Sequence, residues 1–129
     1  MPHFIIDYSA NLDREIDLEA LVDCVRRAAV ATGIFPIGGI RVRAHKAEVS
    51  GIADGTPDYA FLDMTLRLAT GRSLQARKQA GDAVFQALSD HLDPVFARRR
   101  IALSFEIKEI DPELSWKRNS IHEHLKTKT

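Results

Sequence analysis

Pro2 follows Met1 directly. A small second residue of this kind is expected to permit removal of the initiator Met. Removal would leave a prolyl secondary amine at the head of the chain. An ordinary α-amino group has a pKa of about 7.7–8.0. Burial and neighbouring cations both disfavour its protonated form and bring that value down. A base that titrates near neutrality is what a proton shuttle needs. Two arginines are placed to supply such cations and to hold an anion: Arg41 in the strand-like Gly39-Ile40-Arg41-Val42, and Arg72 in the turn Thr70-Gly71-Arg72-Ser73. On spacing alone Pro2 is more simply an edge-compatible first strand residue. Arg41 alone reads as well as a solvated strand charge, and Arg72 as a surface turn cation. While Met1 stays attached, the Pro2 nitrogen is an amide and no base.

Other chemistry is sparse. The chain has no Gly-rich phosphate loop, no CxxC and no HExxH. His122-x-His124 is a weak metal signal, because positions i and i+2 of a helix face apart. His3, His45 and His91 fall on different elements, His91 at a helix end and His45 at a solvated strand end. Neither a metal nor a cofactor is expected. The sole cysteine, Cys24, excludes an internal disulfide. It falls in an apolar helical pattern and reads as a buried structural residue, since a reactive thiol needs an exposed, electropositive setting.

The 129 residues suit one ordinary domain, and 45% apolar with 28% charged residues is the profile of a globular protein. Eighteen basic and 18 acidic residues cancel, so no global field favours nucleic acid or an anionic membrane. The N-terminus lacks a basic region and reaches Asp7 too early for a signal peptide. No apolar run approaches the roughly 20 residues that span a bilayer. A cytoplasmic protein with neither nucleic-acid nor membrane partners is expected.

The elements that must position Pro2 and the arginines follow from periodicity. Phe4 to Tyr8 reads as a buried strand. From Asp17 to Thr32 the residues Leu18, Leu21, Val22, Val25, Ala28 and Ala29 recur at helical spacing, with Asp17 or Asp13 as N-cap and Gly33 as C-terminal cap. After the loop Phe35 to Gly39, Ile40 to Ala47 alternates apolar and charged residues. Ser50 to Pro57 is a turn-rich connector, and then the plan repeats. Tyr59 to Leu68 is a strand, Ser73 an N-cap, Leu74 to His91 a helix stopped by Asp93-Pro94, and Ile101 to Ile107 a strand. A βαβ unit over about residues 2–49 is followed by a second over about 58–110, a period of roughly 60 residues. The expected fold is an α/β two-layer: a four-stranded sheet with two helices on one face. The bare sheet face must be polar or be covered by a partner chain. The long apolar strands favour an oligomer. Residues 111–129 lose periodicity and suggest a C-terminal arm, with Trp116 as its anchor on a neighbouring subunit or domain surface rather than a free tail.

Taken together, Pro2, Arg41, Arg72 and the tandem βαβ plan resemble the tautomerase superfamily, whose hallmark is an amino-terminal proline on a βαβ unit. The match is closest to the two-unit members, and within these the opening Pro2-His3-Phe4-Ile5-Ile6-Asp7-Tyr8-Ser9-Ala10-Asn11-Leu12 resembles the 5-carboxymethyl-2-hydroxymuconate isomerases; the resemblance spans the chain. It implies that Pro2 is the catalytic amine. Arg41 matches the strand arginine of single-unit members, and Arg72 matches the arginine of their Glu-Gly-Arg-Ser turn, here Thr-Gly-Arg-Ser. The first half lacks a turn arginine near Asn11, and in the second Leu62 stands where a proline would be. One complete site per chain follows, with Arg72 from the same or a neighbouring chain. The resemblance further implies a homotrimer and a cofactor-free keto–enol isomerase acting on a polycarboxylate dienol from ring cleavage of homoprotocatechuate. Arg41 and Arg72 would bind carboxylates bidentately, and Arg43, sharing a strand face with Arg41, is a candidate for a further carboxylate. Phe35 or Phe4 would form the apolar wall that keeps Pro2 neutral. The alternatives are another tautomerase-fold activity, of phenylpyruvate-tautomerase or dehalogenase type, and a cytokine-like binding trimer.

Overall fold

The computed structural model describes residues 1–128. Strand β1 (His3–Ser9) buries Phe4, Ile6 and Tyr8 and turns His3, Ile5 and Asp7 to the other face. Helix α1 (Leu18–Thr32) begins where the Asp17 carboxylate accepts the Ala20 N–H at 3.2 Å. It ends at Gly33, whose φ of 73° is a left-handed conformation that side chains resist. Asp13, the other candidate cap, instead accepts from the Tyr8 hydroxyl at 2.9 Å and from Lys46 Nζ at 3.0 Å. Strand β2 (Arg41–Ala47) closes the first unit. Strand β3 (Ala60–Ala69) and helix α2 (Leu74–His91) open the second.

The Ser73 hydroxyl caps α2 by accepting the Ala76 N–H at 3.1 Å. Ser73→Ala should therefore lose about 1 kcal/mol and lower the melting midpoint by roughly 3–5 °C, read by calorimetry. An unchanged midpoint would show that the cap contributes nothing.

Helix α2 ends at His91, just ahead of Asp93-Pro94, as expected. The chain passes through Leu92 into a one-turn helix, α3 (Asp93–Phe96). Pro94 falls in its first turn, where a missing N–H leaves no hydrogen bond unmade. Strand β4 (Ile101–Ile110) runs on to Ile110 rather than stopping at Ile107, because it pairs residue for residue with the whole of β3.

The sheet order is β2-β1-β3-β4. Each unit is internally parallel, and β1 and β3 join the units antiparallel. Helices α1 and α2 lie side by side against the face that carries Phe4, Ile6, Leu62, Met64 and Leu66. The opposite face is polar. One row across the strands reads Arg41, His3, Arg67, Lys108, and another reads His45, Asp7, Asp63, Ser104. In the second unit Ala60, Leu62, Met64, Leu66 and Leu68 face the helices, as Phe4, Ile6 and Tyr8 do in the first. Leu62 is fully buried in mid-strand.

The arm is more ordered than its lack of periodicity suggested. A single 3-10 turn (Pro112–Leu114) leads through an extended stretch to helix α4 (Ile121–Thr127). Within the chain the arm is tied back to the first unit: Asn119 Nδ2 donates to the Gly38 carbonyl at 2.8 Å. Trp116, the expected anchor, is 85% exposed. The last residue of the arm, Thr129, lies outside the described residues. Among the described residues no helix is long and apolar enough to cross a membrane.

Candidate active site

Because β1 runs antiparallel to β3, the starts of β1 and β2 share one sheet edge with the ends of β3 and β4. Pro2, Arg41, Ala69 to Arg72 and the root of the arm gather there. The rule that sites follow the carboxyl ends of strands belongs to wholly parallel sheets. Here it holds for the second unit only.

Pro2 is buried, and its carbonyl accepts the Arg41 N–H at 3.1 Å. The loop 37–39 closes against it from one side and against the arm from the other. A Cβ at Gly39 would sit 3.2 Å from Pro2 Cδ, and one at Gly38 would sit 2.6 Å from His122 Nδ1. Two glycines are what this double approach requires.

Arg41 Nη1 donates to the Gly39 carbonyl at 2.8 Å and lies 3.5 Å from Met1 Sδ. Arg72 Nε donates to the Ile34 carbonyl at 3.2 Å, and its Nη1 to the Ala69 carbonyl at 3.3 Å. A guanidinium carries five N–H donors, so most of the Arg72 fork stays available to a ligand. Its carbon lies 5.5 Å from the centre of the Phe35 ring, which in turn meets Phe4 edge-on at 5.9 Å. This stack fixes Arg72 through a cation–π contact and an aromatic pair.

The electrostatic result is legible at the N-terminus. Burial, then Lys117, Arg72 and Arg41, hold the Met1 amine below its ordinary value. A cavity of about 190 Å³ opens beside it, lined by Met1, His3, Ala69, Ile110, Trp116 and Lys117 among others. Pro2, Arg41 and Arg72 stand around the N-terminus without themselves lining this cavity. His3 is held down to about 4, by burial first and then by Arg67, Arg43 and Arg41, so its ring is neutral at neutral pH. Arg43 Nη1 lies 3.5 Å from His3 Nδ1. A guanidinium can only donate, which assigns Nδ1 as acceptor and leaves the proton on Nε2.

Pro2, Arg41 and Arg72 are thus brought together within one chain. Arg43 and Phe35 flank the site and, like those three, do not line the cavity. Arg43 lies behind His3, and Phe35 lies buried beneath Arg72. Lys117 was not singled out from the sequence, and Trp116 only as an anchor. The basic run from Lys117 onward was the sole signal. A larger open groove of about 600 Å³ between α2 and β4 includes neither Pro2 nor its arginines. Among the described residues no three His, Cys, Asp or Glu side chains gather as a metal site. Cys24 is half-buried with Sγ 3.7 Å from the Ala87 carbonyl, and burial raises its pKa, which does not suit a nucleophile.

A four-stranded sheet of two antiparallel βαβ units, with helices on one face and a cation-ringed N-terminus at the shared edge, is the tautomerase fold. A solved fused 4-OT, described as a wild-type symmetric trimer, superposes with a TM-score of 0.64 at 16% identity, over 90% of this chain and 93% of that one. Within that class the chain belongs to the 5-carboxymethyl-2-hydroxymuconate isomerase family, whose profile matches residues 2–125. A 5-carboxymethyl-2-hydroxymuconate Delta-isomerase of Escherichia coli is 45% identical over 95% of this chain and 97% of its own length. The crystal structure of a 5-carboxymethyl-2-hydroxymuconate isomerase from Deinococcus radiodurans R1 superposes with a TM-score of 0.90 at 36% identity, covering 96% of this chain and 93% of that one. The chain is an isomerase.

Proposed function

We propose that this chain, once freed of Met1, ketonises 5-carboxymethyl-2-hydroxymuconate to its 2-oxo-3-ene isomer in the degradation of homoprotocatechuate. The observation that carries the reading is the convergence of Lys117, Arg72 and Arg41 on the N-terminal nitrogen. In the reaction neutral Pro2 takes the proton of the 2-hydroxyl and returns it to C5, so the substrate gains and loses nothing overall. The conjugated enol supplies the electrons, and no cofactor takes part. Arg41 and Arg72 bind carboxylates and stabilise the charge that develops at the 2-oxo end. Arg43 orders His3 at the cavity wall. Phe35 and Phe4 form the apolar backing that keeps Arg72 in place and water away from Pro2. The chain works as a homotrimer, as the fused 4-OT does, in the cytoplasm.

The test is the decay of the dienol's ultraviolet absorbance with two preparations, Met1-free and Met1-retaining, each verified by mass spectrometry. Rapid ketonisation by the first and only background decay with the second is expected. Equal rates would remove the prolyl base from the mechanism. If the Met1-free protein turns over monocarboxylate enols but not this dienol, the substrate assignment is wrong.

A further inference from the structure

The proposed substrate carries three carboxylates, two from the muconate and one from its carboxymethyl arm; the sequence marks Arg41 and Arg72 for two, and Arg43, its candidate for the third, lies behind His3 off the cavity. We infer that Lys117, held over the cavity by the C-terminal arm, is the anchor for the third carboxylate. This assignment rests on the function proposed above.

Three observations place Lys117 there. It lines the same cavity as Met1 and His3, next to Trp116. Among the described residues no carboxylate lies within ion-pair distance of it, whereas Lys46 is paired with Asp13 and Glu48, and Lys108 with Glu106. An unpaired ammonium beside a cavity is free to take a ligand's charge. Finally, the arm is tied down just beyond it. Asn119 donates to the Gly38 carbonyl at 2.8 Å and its Oδ1 accepts the Ile121 N–H at 2.7 Å, starting α4, while the His122 ring covers Gly38. These ties act on the loop that touches Pro2, so the arm's position over the cavity and that of the proline are set by one contact. Trp116, mostly in solvent yet on the cavity wall, supplies an apolar surface beside the ammonium. A lysine suits this place better than a third arginine fork would. It is a compact charge on a flexible stem and can follow the freely rotating carboxymethyl arm.

The experiment compares wild type, Lys117→Met and Lys117→Arg in the Met1-free protein. Two substrates are used: the tricarboxylate, and the dicarboxylate dienol that lacks the carboxymethyl arm. KM is measured on the alkaline plateau, where the amine is neutral in every variant. Lys117→Met should raise KM for the tricarboxylate about tenfold, the size of a lost hydrogen bond between charged groups, with kcat little changed. KM for the dicarboxylate should stay within about twofold, and Lys117→Arg should restore most of the tricarboxylate affinity. An unchanged tricarboxylate KM, or an equal rise for both substrates, would overturn the assignment. A wild type inactive on both dienols would overturn the proposed function itself, and this assignment with it.

Discussion

Pro2→Ala in the Met1-free protein should lower kcat/KM for the dienol by at least about a hundredfold, within the range that general acid–base groups contribute. The variant keeps an α-amine, so the loss measures what the ring adds: a secondary amine held in place by the ring's packing on Gly39. The backbone bond from the Arg41 N–H to the carbonyl of residue 2 survives the change, so the far-ultraviolet spectrum and melting midpoint should move little. The pH profile gives the second half of the result. The active form is the neutral amine, so kcat/KM should climb with pH and level off. The surroundings that depress the Met1 amine, burial together with Lys117, Arg72 and Arg41, act on the Pro2 amine in the same direction. The midpoint should therefore lie below the ordinary α-amino range of about 7.7–8.0. A midpoint within or above that range, or near-wild-type rates from Pro2→Ala, would show that another group carries the proton.

Phe35→Ala is expected to be the most destabilising single change near the site. Phe35 is 5% exposed, meets Phe4 edge-on and lies under the Arg72 guanidinium. Truncation removes a buried ring and leaves a void, a loss of about 3–5 kcal/mol. It also takes away the surface on which Arg72 rests, so surviving folded protein should show a raised KM. Chemical denaturation with steady-state kinetics reads both. Phe35→Leu, which fills most of the space without the cation–π contact, separates the two roles: it should recover most of the stability and little of the affinity. If Phe35→Leu restores KM as well, the ring acts on Arg72 only by volume.

Much of this arrangement was legible in the residues. Strong periods marked both long helices, and short-range chemistry marked their caps, because Asp17, Ser73 and Gly33 act on backbone only a few residues away. Alternation in 40–47 separated Arg41 and Arg43 from the core. What escaped depends on contacts that no local pattern encodes. Lys117 reaches the N-terminus from the far end of the chain, through an extended stretch with no period of its own. The docking of the arm on Gly38 needs two glycines whose reason is the approach of Pro2 and His122 rather than a turn.

The doubled plan also sets the stoichiometry of the enzyme. The first strand of the second unit, β3, lies inside the chain, where Leu62 is fully buried, so it has no terminal nitrogen to offer. A molecule with two similar halves is therefore asymmetric in use: one half furnishes the reacting atom, and the other contributes Arg72 and structural support. A reagent that captures the reactive amine should label each chain once. Substitutions at Leu62 should change stability without changing turnover.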